Sequence, residues 1–407
     1  MSGPLSGLRV IDLSRILAGP SMTQLFADLG AEVIKIERPG QGDDTRTWGP
    51  PWLLDMDGNE TREAGYYLST NRGKHSITLD IASKEGANVV RDLVRDADFF
   101  VENFKVGGLA KMGLDYESLK AVNPRLLYLS ITGFGQTGPD APQPGYDYLI
   151  QARSGLMSVT GPEDGAPGAG PVRAGVATSD LQTGLMGAIG LLAALYHREQ
   201  TGEGQHIDLA LLDTQIAGLA NQGYAHLLTG NIPKRTGNWH PALSPYQPFD
   251  TADDPIIIAV GNDSQFVDLC RVMGVPKMAQ DERFSTNPTR NKNRAVMEVL
   301  INEQTRQHPA QYWLSEFAKN NVPACPINNI EQAFNDPQVV ARGMRIDLDH
   351  EASGTVPGVK TPLNYSKTKL EYSKAPPMLG QDTDDVLSRL LGKSAEEISA
   401  LKAKGIV

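Results

Sequence analysis

The residue whose neighbours best equip it for chemistry is Asp180. It ends the segment Pro171-Val172-Arg173-Ala174-Gly175-Val176-Ala177-Thr178-Ser179-Asp180 and stands directly before an apolar stretch that reads as a buried helix over 181–197. An aspartate at that point can cap the helix by accepting from its unpaired amides. The helix dipole favours a carboxylate at the same place. Such a side chain is expected to be ionised at neutral pH and to attack an electrophile without a general base. Capping and nucleophilic attack are compatible roles.

A second motif, Gly133-Phe134-Gly135-Gln136-Thr137-Gly138, has the spacing of a dinucleotide fingerprint and follows a strand-like run. That fingerprint must open a helix. Here Pro139, Pro142 and Pro144 follow at once, and a helix does not tolerate that spacing of prolines. The motif also follows a late strand rather than the first. We read it as a glycine-rich loop at the carboxyl end of a strand, a place where ligands often bind.

Other chemistries find little support. The two cysteines, Cys270 and Cys325, are far apart and suggest neither a disulfide framework nor a zinc site. The seven histidines form no H-x-x-x-H pair, so no metal is expected. With 38 basic against 48 acidic residues the net charge is −10, which gives no basic footprint for a nucleic-acid partner. Arg9 and Arg15 interrupt the first apolar stretch, unlike a signal peptide, and the apolar run 181–196 is too short for a membrane span. The expectation is a cytoplasmic enzyme without a membrane partner.

The elements that must position Asp180 follow from periodicity. Strand-like runs at 8–13, 31–37, 75–81, 98–101 and 126–132 alternate with helical stretches at 20–29, 83–96 and 114–122. This alternation predicts a parallel, Rossmann-like doubly wound α/β sheet. Residues 139–171 form a long Gly- and Pro-rich connection, and 207–220 reads as a second buried segment. Gly184, Gly187, Ala188 and Gly190 in the apolar helix call for a closely packed second backbone. At 407 residues two domains are expected: a large one from 1–224 with 331–407, and a small α+β one at 225–330. In the tail we expect a strand at 365–372 and helices near Asp384 and Ala395.

The chain also resembles a known family, the class III CoA-transferases. The resemblance rests on LRVIDLSRILAGP (8–20), ADLGAEVIKIERPGQGDDTR (27–46), NRGKHSITLD (71–80), VENF (101–104), MGLDYESLKAVNPRLLY (112–128), SITGFGQTGP (130–139), GYDYLIQARSG (145–155), the ATSD segment, TGEGQHIDLALLD (201–213) and PPMLGQDTDDVL (376–387). Within the family, 27–46 and the residues around 237–247 look most like the glutarate subgroup.

The resemblance implies an interlocked homodimer whose large Rossmann-like domain is built from both chain ends. It implies that Asp180 is the nucleophile, passing through an aspartyl-CoA thioester, with CoA as a thioester substrate and no resident cofactor. It implies CoA contacts from Ile16, Leu17 and Ala18, from Arg38, from Leu79 and Asp80 near the adenine, and from Asn103, Phe104, Lys105 and Lys111. Tyr146 and Asp147 match family residues near the nucleophile. Formyl-CoA transferases have a glutamine where this chain has Leu17 and a histidine where it has Arg15. Their glycine-rich lid is replaced by residues 240–247. The expected substrates are therefore succinyl-CoA and a small dicarboxylate of glutarate type, with Arg15 or Arg46 gripping the distal carboxylate. The alternatives are a formyl-CoA:oxalate CoA-transferase and, with the same fold, an α-methylacyl-CoA racemase or epimerase. The racemase needs an acid/base pair, and its relatives place histidine where this chain has Tyr146, a poor base at neutral pH.

Overall fold

Uninterrupted apolar runs such as Val10-Ile11, Val33-Ile34 and Phe99-Phe100 fit strands buried on both faces, the condition of a parallel sheet covered by helices. The computed structural model, which describes residues 3–407, has this arrangement. The leading elements are β1 (Arg9–Asp12), α1 (Ala18–Asp28), β2 (Glu32–Glu37), β3 (His75–Thr78), α2 (Lys84–Val94), β4 (Phe99–Glu102) and β5 (Leu127–Thr132). They are followed by α3 (Asp147–Arg153), α4 (Thr178–Thr201), β6 (Gln205–Ala210), α5 (Leu211–Ala217), α6 (Thr383–Leu391) and α7 (Ala395–Ala403). The six strands pair in parallel in the order β3-β2-β1-β4-β5-β6. The order reverses at β1, so a crevice opens beyond the carboxyl ends of β1 and β4.

Alternation along each strand divides the core. Ile11, Ile34, Phe100 and Tyr128 join α2 and, from the far end of the chain, Val386, Leu387 and Ile398. Val10, Val33, Phe99 and Leu129 join α1, Ile150 and the Ala188–Leu191 side of α4 on the other face. The chain's end thus contributes helices to the large unit, while every strand of its sheet lies before residue 211.

The chain divides into two units, 1–156 with 174–229 and 340–407, and 157–173 with 230–339. The division differs from the sequence boundaries chiefly at 157–173, which group with the smaller unit. That unit has a three-stranded antiparallel sheet, with Ile256–Ala259 between Tyr246–Phe249 and Ala324–Pro326. Phe249, Ile258, Phe266, Leu269, Trp313 and Phe317 fill its core.

Three expectations need correction. Residues 205–210 are a strand, because QHIDLA alternates and joins the sheet edge beside β5. No strand forms at 365–372; the tail instead pairs Arg345–His350 with Gly354–Val359 as a hairpin. The apolar helix is longer than expected and starts at Thr178. Among the described residues, no helix is long and apolar enough to cross a membrane.

Candidate active site

The crevice at the switch point is lined by the turn after β1 (Arg15, Ile16, Leu17, Ala18), the loop after β4 (Asn103, Phe104, Lys105), Gly133 and Tyr146, and by Asp180. A second cleft, beyond the ends of β2 and β3, shares Arg15 and Phe104 with the first and is lined by Arg38, Leu79 and Asp80. Two expected site residues lie elsewhere. Lys111, at the end of the short 3₁₀ turn Leu109–Met112, lines neither cleft. Arg46 is 3% exposed and folded into the protein.

Asp180 reaches the crevice because three close approaches at glycines put it there, two of them to backbone and one to a side chain. A Cβ at Gly184 would stand 2.7 Å from the Ala18 carbonyl oxygen, and one at Gly187 would stand 2.8 Å from the Met22 sulfur. The small residues of α4 therefore admit α1, a helix of the same chain. At Gly133 a Cβ would lie 2.5 Å from the Gly145 Cα, so the glycine-rich loop brings Tyr146 and Asp147 to the end of β5. No helix opens at the G-x-G-x-x-G motif, as the prolines require.

Asp180 is the third residue of α4 and not its cap; Ala177 occupies the cap position without a side-chain bond. The helix amides are instead taken by Asp147, whose Oδ1 accepts from Ser179 N at 2.8 Å and from Asp180 N at 3.4 Å. Its Oδ2 accepts from Gln151 Nε2 at 2.6 Å. Burial, and then the negative charge of Asp147, push the Asp180 carboxyl up to about 7. At neutral pH Asp180 is therefore only partly ionised, where full ionisation was expected. The helix terminus favours one carboxylate, and Asp147 holds the donors.

The other predicted residues have defined surroundings. Arg15 is half exposed, donates to Asp44 at 2.9 Å, and its guanidinium lies 5.5 Å from the Phe104 ring centroid. Asn103 clamps the backbone of Arg15: its Oδ1 accepts from Arg15 N at 2.9 Å and its Nδ2 donates to Arg15 O at 2.7 Å. Tyr146 is exposed. The loop expected as a lid belongs to the smaller unit, where the His240 Nδ1 accepts from the amides of Ala242 and Leu243.

Sequence reasoning missed Tyr66, whose phenol is pushed up by burial and then by the charge of Asp180. It also missed the buried ions beneath the crevice, Lys35 with Asp43 and Lys74 with Asp12. A lysine at a core position of the apolar strand EVIKIE was the available signal for Lys35, since an unpaired buried ammonium is very costly. Among the described residues, no group of three or more His, Cys, Asp or Glu is placed to hold a metal ion.

Comparison with known proteins agrees with this geometry. The sequence model described as CoA-transferase family III matches residues 5–383. A succinate–glutarate CoA-transferase of Agrobacterium fabrum is 51% identical over 387 residues, covering 95% of this chain and 96% of that one. The human succinyl-CoA:glutarate CoA-transferase is 40% identical, covering 99% of this chain and 90% of its own. A crystal structure of a CAIB/BAIF family protein from Brucella suis superposes with a TM-score of 0.85 at 48% identity, covering 96% of this chain and all of that one. With a parallel sheet, a crevice at its switch point and near full-length similarity to these transferases, the chain belongs to CoA-transferase family III.

Proposed function

We propose that the protein moves CoA between succinyl-CoA and a small dicarboxylic acid of glutarate type, with Asp180 as the nucleophile. The observation that carries this reading is a half-buried aspartate opening on the switch-point crevice, beside the turn and loop expected to hold CoA. The Asp180 carboxylate attacks the thioester carbonyl, forming a mixed anhydride and releasing CoA thiolate. The thiolate attacks the aspartyl carbonyl, giving an aspartyl-CoA thioester and the free first acid. The second acid reverses both steps, so thioester energy is conserved.

In this scheme CoA lies across the two adjoining clefts. Ile16, Leu17 and Ala18 face the pantetheine, Arg38 and Lys105 face phosphates, and Leu79 and Asp80 lie by the adenine. Asn103 shapes the Arg15 turn. Asp147 positions Asp180, and Tyr146 walls the crevice.

Arg15 is the residue proposed to hold the distal carboxylate, since it lines the crevice with Asp180 and a guanidinium can form a bidentate pair with a carboxylate. A panel of acids offered with succinyl-CoA, with acyl-CoA products identified by mass, tests the substrate class. Arg15→Lys should raise KM for glutarate about tenfold while changing that for a monocarboxylate of equal length far less. A wild-type preference for monocarboxylates, or an equal rise for all acids, would rule out this pocket.

We further propose a homodimer of interlocked chains. Leu185, Ile189, Leu192 and Tyr196 recur on one side of α4 and are exposed, Tyr196 to 72%. Tyr224, Leu227 and Leu228 are exposed on the helix Ala220–Thr229. A second copy is the natural cover for such apolar surface. Linked chains cannot separate without unfolding, so dilution should leave the dimer intact. A folded 44.0 kDa species in sedimentation at low concentration would contradict this.

A further inference from the structure

Ile16 has a backbone φ of +74°, and the only other non-glycine residues with positive φ among the described residues are Ala220 and Asn321. For a β-branched residue this left-handed conformation is a true outlier and persists only where surrounding contacts impose it. Ile16 stands in the crevice wall: Arg15 and Leu17 flank it there, and α1 starts two residues on.

The contacts that impose the conformation are specific. The Ile16 amide donates to both oxygens of Asp43, at 3.2 and 3.3 Å. The Asp43 carboxylate also accepts from Lys35 Nζ at 2.9 Å and from Thr45 N and Oγ1 at 3.0 and 2.8 Å. Lys35 Nζ in turn donates to the Ser14 carbonyl at 2.9 Å. Asp43 is 1% exposed and Lys35 is fully buried. Four donors converge on two carboxylate oxygens, and an asparagine would set its own amide protons against some of them.

We infer that Asp43, supported by Lys35, is a positioning residue that holds Ile16 in its left-handed backbone conformation and thereby fixes the Arg15–Ala18 wall of the CoA cleft. Without it Ile16 relaxes to negative φ, which rotates the Arg15–Ile16 peptide and displaces the wall. The inference rests on the reading of that crevice as the CoA site.

The test is calorimetric titration of free CoA into the full chain. Asp43→Asn should weaken CoA binding about tenfold, the scale of one released backbone strain. In the Ile16→Gly background, whose own CoA affinity is the reference, Asp43→Asn should cost no more than about twofold, because glycine adopts positive φ unaided. If Asp43→Asn does not fold, Lys35→Met/Asp43→Asn removes both charges together and takes its place. Undiminished binding by the Asp43 variant, or an Asp43→Asn loss equally large in the Ile16→Gly background, would overturn the inference. A purely structural role for Asp43 predicts the latter, since a glycine cannot mend an ion pair. Independently of Asp43, Ile16→Gly should melt at least about 1 °C above Ile16→Ala, since both lose the side chain and only alanine still resists positive φ. An equal or lower melting temperature would also overturn it. Wild-type protein that fails to bind CoA would refute the CoA reading itself, and this inference with it.

Discussion

Asp180→Asn should abolish CoA exchange, lowering kcat on the order of 10⁴-fold or more, because the group that forms the covalent bond is gone and nothing in the crevice replaces it. Asparagine keeps the shape, so the affinity for CoA should remain within a few-fold of wild type. The acid limb of kcat/KM follows from the surroundings of Asp180. Its carboxyl is pushed up to about 7 by burial and by Asp147, and only the ionised form attacks. Activity should therefore fall as the pH drops below about 7. Asp147→Asn removes the like charge while retaining an acceptor for the Ser179 amide. The limb should then move to lower pH. A limb that stays in place would show that Asp147 does not act on Asp180 through its charge.

Arg46→Met should cost about 3–5 kcal/mol of stability, the scale for breaking a buried charge network from one side. The guanidinium donates to both oxygens of Glu37 at 2.8 Å, to Glu63 at 2.6 and 2.7 Å, to the Tyr67 hydroxyl at 2.6 Å and to the Pro377 carbonyl at 3.1 Å. Its carbon lies 3.7 Å from the Tyr67 ring centroid. Burial pushes the Glu37 carboxyl up, but Arg46 and Lys35 more than offset this and hold it below its ordinary 4.5. In wild type, Glu37 thus contributes stability above about pH 4.5 that is lost as the pH falls through its lowered pKa. Without Arg46 the buried carboxylate is unfavourable at neutral pH, and protonation relieves it. The stability deficit of the variant, read by denaturant unfolding, should be largest near neutrality and narrow below pH 4.5. Arg46→Lys should also destabilise, since an ammonium cannot replace the fork. A variant as stable as wild type that raises KM for dicarboxylates would return Arg46 to the substrate.

The parallel sheet was legible because its strands are apolar on both faces and its helices carry local punctuation, as at Ser83, whose side chain accepts from Gly86 N at the start of α2. The position of Asp180 at the head of a helix was legible for the same reason. Its elevated pKa was not, because its burial is set by the fold and the like charge comes from a carboxylate 33 residues earlier that no local pattern ties to it. Arg46 reads as a grip for the substrate's distal carboxylate until the fold brings Glu37, Glu63 and a carbonyl 331 residues away around it. The hairpin 345–350 with 354–359 was obscured by Pro357 and two glycines, which read as a loop.

The central claim is a covalent bond between CoA and the Asp180 carboxylate. Brief incubation of the protein with succinyl-CoA, followed by acid quenching and intact-mass measurement with peptide mapping, tests it most directly. The expected result is an added mass of CoA less one water, confined to the peptide holding Asp180 and absent in Asp180→Asn. Rapid turnover with no adduct on that peptide, or the same adduct in Asp180→Asn, would contradict it.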